Sequence, residues 1–308
     1  MLTKSGLQLG LGLPQDFING RDIGLLRRFA QRAEVLGFDD LWVVESVISR
    51  NPVLEAITTL SYVSALTGRI RLGTSVLVTN LRNPVELAKQ LSSLDNLCDG
   101  RLIAGIGLGT DTKEYETFGV PTERHVTRFV EGIGVMKALW TEKRATRESP
   151  LWPLDGVPME PKPVQANGIP IWIGARVPEA LRRAVDLADG WMGAGSSSIS
   201  DYIGQQGKMR AILAERGITP GVFPISKRVY MAIDSDRERA RDRMRTWVGQ
   251  YYGNPDAANS WAVTGTVEDV AEVLNKLREG GATHLMLHPP FDHEQQLEII
   301  ARDLAPRL

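Results

Sequence analysis

Short apolar runs alternate with amphipathic stretches along almost the whole chain. Eight runs read as strands: LQLGLGLP, DLWVVE, IRLGTSVLV, RLIAGIGLG, IPIWIG, GWMGAG, ISKRVYMAI and THLMLHP. Most are rich in apolar residues of high strand propensity, and turn formers separate them. Between them lie helical patterns. Ile23, Leu26, Phe29, Ala33 and Leu36 share one face of a helix expected over 22–36, and a second, over 52–67, opens on Pro52. Segment 266–280 begins with the capping-box pattern TVED and stops at Gly280-Gly281. Eight such units predict an α/β fold, a (β/α)8 TIM barrel, ahead of an open doubly wound sheet, because the first unit carries no phosphate fingerprint. The register breaks over 141–168, rich in proline and turn residues, which reads as an insertion after the fourth helix of a single domain over 1–308. A second irregular stretch, 253–263, precedes an extra helix.

The stretch RLIAGIGLGTD looks at first like a nucleotide-binding loop, but its spacing is wrong. A dinucleotide fingerprint needs G-x-G-x-x-G at a strand-to-helix turn, whereas here Gly105, Gly107 and Gly109 alternate and Thr110 stands where the third glycine belongs. Alternation puts Ile103 and these glycines on one face of the strand, with Ala104, Ile106 and Leu108 on the other. The glycine face predicts room beside the strand's end.

Composition narrows the field. With 43% hydrophobic and 24% charged residues over 308 positions, the chain has ordinary globular content and no run of membrane-spanning length. No secretory h-region is apparent near the N-terminus, and the single cysteine, Cys98, forms no internal disulfide, so a cytoplasmic setting is expected. A net charge of -1 with interspersed signs supplies no field for nucleic acid or anionic lipid, so neither partner is expected. Neither a metal motif nor a G-x-S-x-G nucleophile elbow occurs.

A barrel places its chemistry at the carboxyl ends of its strands. Glu45 follows the second strand and is either a general base or a loop anchor. Thr74, Ser75, Val76, Asn80, Arg82 and Asn83 follow the third, as polar ligands or as caps for a helix starting at Pro84. Thr110, Asp111 and Thr112 follow the fourth. Gly174, Ala175 and Arg176 precede a helix start, where backbone N–H groups and a guanidinium meet and an anion such as phosphate would be held. His288 and His293 follow the eighth, as an acid or base or as structural histidines. An anion anchor and a polar rim suit a large planar cofactor.

Several stretches, in order, match a known pattern. RIRLGTSVLVTNLRNPVELAKQLSSLDNLCDGRLIAGIGLG resembles the core of the bacterial luciferase-like oxidoreductases, as do PKPVQANGIPIWIGAR, LADGWMG and VTGTVEDVAEVL. The closing HLMLHPPFDHEQQLEIIARDLAPRL resembles the deazaflavin-dependent glucose-6-phosphate dehydrogenase branch. The resemblance implies a (β/α)8 barrel, frequent homodimers, and a flavin or deazaflavin at the strand C-termini. It places a non-prolyl cis peptide at Ser75-Val76 behind the ring, space beside the cofactor at Gly107 and Gly109, and a phosphate clamp at Gly174 and Ala175, joined by Arg176. Many relatives carry Asp-His or Glu-His where this chain has Glu45-Ser46, and a bulky-polar pair where it has Thr110-Asp111. The leading expectation is hydride transfer between coenzyme F-420, a deazaflavin, and a small-molecule substrate. Glu45 or His288 would move the proton and Asp111 would line the substrate side. The alternatives are an FMN-dependent monooxygenase fed by a partner flavin reductase, and a non-catalytic flavin-binding relative.

Overall fold

The computed structural model describes residues 2–18, 20–109, 112–219 and 221–308. Eight strands form its centre: β1 Gln8–Gly12, β2 Asp40–Val43, β3 Arg71–Thr74, β4 Leu102–Gly107, β5 Ile171–Gly174, β6 Gly190–Gly193, β7 Ile225–Ile233 and β8 His284–His288. Each pairs in parallel with the next, and β8 returns to β1 with Gln8 opposite His284 and Leu11 opposite Leu287, so the sheet closes into a barrel. All eight strands expected from the sequence are present in that order.

The helices begin and end for local reasons. Asp22 caps Ile23–Leu36 by accepting from the Leu25 N–H at 3.0 Å, and Gly37, at φ 89°, ends it. The second helix is shorter than expected. It runs Ala56–Ser64, because the Glu55 carboxylate accepts from the N–H groups of Ile57 (3.1 Å) and Thr58 (2.7 Å) and fixes the start there, leaving Pro52 in the loop. The capping box at Thr266 and Asp269 forms as expected.

Two irregular stretches hold more structure than their composition suggests. Within 141–168, Ala145–Arg147 and Leu154–Val157 pair as an antiparallel hairpin. Asp95 then accepts from the Val164 N–H and the Gln165 side-chain amide, both at 2.8 Å, and ties the return segment down. Within 253–263, a further strand starts: Ala262–Gly265 lies alongside Tyr230 to Ile233 of β7. Among the described residues no helix is long and apolar enough to cross a membrane.

Alternate residues of each strand face outward or into the lumen. Leu9, Leu11, Leu41, Leu72, Ile106, Leu285 and Leu287 face the helices at 0% exposure, each large side chain contributing about 1.5–3 kcal/mol by burial. The lumen is filled by Trp42, Ile103, Trp172, Met192 and Met286. The two indoles lie 5.2 Å apart between ring centroids. Glycines make room for them: a Cβ on Gly73 would lie 2.4 Å from Trp42, and one on Gly190 2.7 Å from Trp172.

At the N-terminal end of the lumen sits a polar network, buried except at Arg71. Asp40 Oδ1 lies 2.8 Å from His284 Nε2 and accepts from the Trp42 indole N–H, while Oδ2 accepts from Arg71 at 2.8 Å. Ser226 Oγ lies 2.7 Å from His284 Nδ1. Burial works against the Asp40 charge, but His284 and Arg71 outweigh it and hold its pKa below the ordinary carboxylate value. The order Ser–His–Asp resembles a hydrolytic triad, yet all three residues are 0% exposed at the barrel end that serves stability.

Candidate active site

The opposite rim gathers the residues that the sequence placed after the strands. After β3 the Ser75–Val76 peptide is cis. The Ser75 N–H donates to the Val43 carbonyl at 2.7 Å, and the Ser75 carbonyl accepts from Arg228 Nη1 at 2.9 Å. The chain then runs beside β4, Leu77 opposite Ile106 and Val78 opposite Gly107.

That path changes the meaning of the glycine face. A Cβ on Gly105 would lie 1.7 Å from the Thr74 carbonyl oxygen, one on Gly107 2.7 Å from Val76 Cγ2, and one on Gly109 2.7 Å from Val78 Cγ1. The room expected beside these glycines is filled by the chain itself. The alternating glycines let the segment from Thr74 to Val78 lie against β4, and Val76 sits between Gly107 and Gly174, whose added Cβ would be 3.4 Å from Val76 Cγ1.

Glu45 is an anchor. One carboxylate oxygen accepts from Arg82 and the other from the Val78 N–H at 2.5 Å, so both are engaged in fixing the loop after β3. Burial raises its pKa against the pull of Arg82 and of that N–H. Asn83 accepts from the Val85 N–H as a helix cap, and Asn80 donates to Tyr115 Oη at 3.0 Å and to the His125 carbonyl at 2.9 Å. These polar residues hold loops, the structural half of their two readings. Asp111, expected on the substrate side, and Thr110 lie outside the described residues.

The ends of β5 and β6 and the first half of β7 bring three basic side chains together. Arg176 donates to Ser196 Oγ. Lys227, fully buried, donates to the Ala194 carbonyl and to the Ser197 carbonyl (3.0 Å) and hydroxyl (3.1 Å). Burial, then Arg228 and Arg176, push its pKa down to about 7. Arg228 stands on the lumen side of β7, its guanidinium 5.2 Å from the Tyr230 ring. Burial opposes its charge, but Tyr230 and Tyr252 outweigh that and raise its pKa. Among the described residues none of the three pairs with a carboxylate; Lys227 uses its N–H groups on Ala194 and Ser197, so Arg176 and Arg228 are the two left to meet an anion. Beside them begins the helix Pro178–Leu187, with no side chain capping its N-terminus. The donor set therefore fits a phosphate-bearing cofactor, with Gly174, Ala175 and Arg176 at its edge.

His288, opposite Tyr230 in the register of β7 and β8, is 6% exposed and packs on Gly12, whose added Cβ would meet its ring at 2.7 Å. Its Nδ1 has no partner, and burial followed by Arg228 lowers its pKa to about 3. An imidazole so placed is neutral at pH 7 and does not suit the proton exchange expected of it; it can offer one neutral hydrogen bond. Its ring resonances are expected not to titrate between about pH 5 and 8, and a midpoint near the unperturbed value of about 6.5 would show a water-exposed ring instead. The sign for stability follows: the unfolded chain takes up this proton first, so stability declines as the pH falls from about 6.5 toward the folded value of about 3.

Arg228, Tyr230 and Tyr252 were not singled out from the sequence. Tyr230 and Tyr252 join hydroxyls, and Trp247 packs on Tyr230 at 5.2 Å and on His288 at 6.2 Å. The available signal was phase: in ISKRVYMAI, Arg228 and Tyr230 are two apart and share a face.

The closed parallel sheet with its ring of helices and a mouth lined by basic groups defines a (β/α)8 barrel protein. Residues 3–286 match the model of the luciferase-like monooxygenases, and the chain belongs to that family. It is 25% identical to a 5,10-methylenetetrahydromethanopterin reductase of Archaeoglobus fulgidus, over 92% of this chain and 95% of that one. It is 28% identical to an F420-dependent glucose-6-phosphate dehydrogenase of Kineococcus radiotolerans, over 92% and 93%. Its fold is shared with an F420-dependent secondary alcohol dehydrogenase solved with an F420–acetone adduct, at a TM-score of 0.82, 18% identity, and coverage of 96% and 97%.

Proposed function

We propose that this chain is an F420-dependent oxidoreductase that transfers hydride between the deazaflavin and a small organic substrate in the barrel mouth. The observation that carries it is Arg176, with no carboxylate partner among the described residues, beside a helix N-terminus that no described side chain caps, and with Arg228 equally unpaired across the mouth. That donor chemistry suits the phosphate of such a cofactor, and the F420-dependent relatives favour the deazaflavin.

When bound, the cofactor supplies a ring carbon that exchanges hydride with substrate. The protein's part is to bind, orient and exclude water. Arg176 and Ser196, with the N–H groups at the start of Pro178–Leu187, would hold the phosphate, and Val76, fixed between Gly107 and Gly174, would support the ring. Glu45 positions that segment through Arg82 and the Val78 N–H.

The family's description as monooxygenases supports a second reading, in which FMN takes the same place and a reductase partner supplies it reduced. Visible-spectrum titration of the purified protein with each cofactor, followed by substrate screens with and without oxygen, tests the choice. Tighter binding of F420 is expected. Micromolar FMN binding with no measurable F420 binding would reverse the assignment.

A further inference from the structure

We propose that Arg228 stabilises the negative charge that a bound ring gains on taking up hydride, so that the reduced ring is held more tightly than the oxidised one. The proposal rests on the deazaflavin reading, with the ring at the Ser75–Val76 end of the mouth. It goes beyond that reading by giving one side chain a role in deciding which form of the cofactor the site prefers.

The three cations of the rim are not equivalent. Arg176 is exposed and hydrogen-bonds to Ser196, on the loop after β6. Lys227 shares its strand face with Val229 and Met231, which belong to the core between barrel and helices, and its ammonium is hydrogen-bonded to Ala194 and Ser197. Arg228 has the opposite phase. It faces the lumen with Tyr230 and reaches across the mouth from β7 to the end of β3, where it holds the Ser75 carbonyl at 2.9 Å. Its Nε is buried without a partner. Close approach of the loop after β6 depends on Gly195, since a Cβ there would lie 2.5 Å from that Nε and 2.8 Å from Tyr230. The guanidinium is thus fixed by its surroundings and lacks a counter-charge.

Charge accounting gives the consequence. Hydride brings two electrons and one proton, so a ring that accepts it becomes more negative by one unit. A fixed cation beside the ring attracts that unit without having to reorganise, and in a partly buried mouth the attraction is stronger than in water. Neutral hydrogen-bond donors such as His288 make a smaller distinction between the two forms.

The test uses 5-deazariboflavin, which lacks both the phosphate and an ionisable ring hydroxyl. Its oxidised ring is neutral, and its reduced ring is an anion at mildly alkaline pH. Dissociation constants for both forms are measured under anaerobic conditions by fluorescence titration, with thermal unfolding run alongside. The wild type is expected to bind the reduced form about 10- to 100-fold more tightly than the oxidised one. Arg228→Gln should bring the ratio within about threefold of unity, and Arg228→Lys should restore much of it, because charge and not shape is at issue. A wild-type ratio near one overturns the proposal and leaves the deazaflavin reading standing if F420 still binds. An Arg228→Gln protein with the wild-type ratio overturns it as well. Should Arg228→Gln fail to fold, Arg228→Met, of similar length and without charge, takes its place with the same two outcomes. If the wild type binds neither form of 5-deazariboflavin nor F420, the ring site and the deazaflavin reading fall together.

Discussion

Replacing Asp40 by asparagine is expected to destabilise the protein by about 2–3 kcal/mol, because the change removes the buried carboxylate around which three donors are arranged. Asp40 is 0% exposed and receives His284, Arg71 and the Trp42 indole N–H. An asparagine of the same shape accepts with one atom only, so one of the donors on the carboxylate loses its partner. Denaturant unfolding measures the loss. The pH dependence should change with it. The folded carboxylate has a depressed pKa, so its stabilisation is present above the unfolded value of about 3.9 and is lost as the pH falls through the folded value. The Asp40→Asn protein should lack that part of the acid limb. A stability loss under about 1 kcal/mol would mean that the network relaxes around the amide and contributes little.

Gly105→Ala is expected to cost about 3 kcal/mol, at the upper end for an overpacked site, and to weaken cofactor binding with it. The added Cβ would stand 1.7 Å from the Thr74 carbonyl oxygen. That oxygen belongs to backbone and cannot turn aside as a side chain could, so either β3 or β4 must shift. Thr74 also donates its hydroxyl to the Gly105 carbonyl at 2.7 Å, coupling the two strands at the collision. The displaced segment carries Ser75 and Val76, so calorimetry and cofactor titration should report the same substitution. A variant of wild-type stability and affinity would show that the strands part there without penalty.

The barrel was legible because its signal is local and repeated. Each strand run is a few residues long, and cap residues such as Asp22 and Thr266 act within one turn. The failures have equally local causes. Pro52 announces a helix start, but the Glu55 carboxylate binds the first free N–H groups and sets the start at Ala56. The strand Ala262–Gly265 was hidden by its shortness and by the turn-forming residues before it.

The site was only partly readable. The strand-end rule led to Ser75, Val76, Arg176 and His288, yet what each does depends on partners far away in sequence. Glu45 becomes an anchor through Arg82, 37 residues on, and Asp40 meets His284 across 244. His288 looks like a proton carrier until its burial near Arg228 is known. Arg228 lies inside the strand run ISKRVYMAI, before the strand end to which the rule points, and only the barrel's geometry shows that it faces the lumen while Lys227 does not.

The indole pair across the lumen has a consequence for how such a protein changes over time. Much of the lumen beneath the mouth is taken up by Trp42 and Trp172, together with Ile103, Met192 and Met286, and the indoles are admitted by Gly10, Gly73 and Gly190. Shortening Trp172 along with its neighbour Met192 would open space below the mouth without touching a loop, so a lineage or an engineer could alter substrate reach from below while leaving the Ser75–Val76 segment intact. Once an indole is gone, the glycine that accommodated it is free to drift to alanine or larger. Each such step then blocks the return, and a short history of enlargement becomes difficult to reverse.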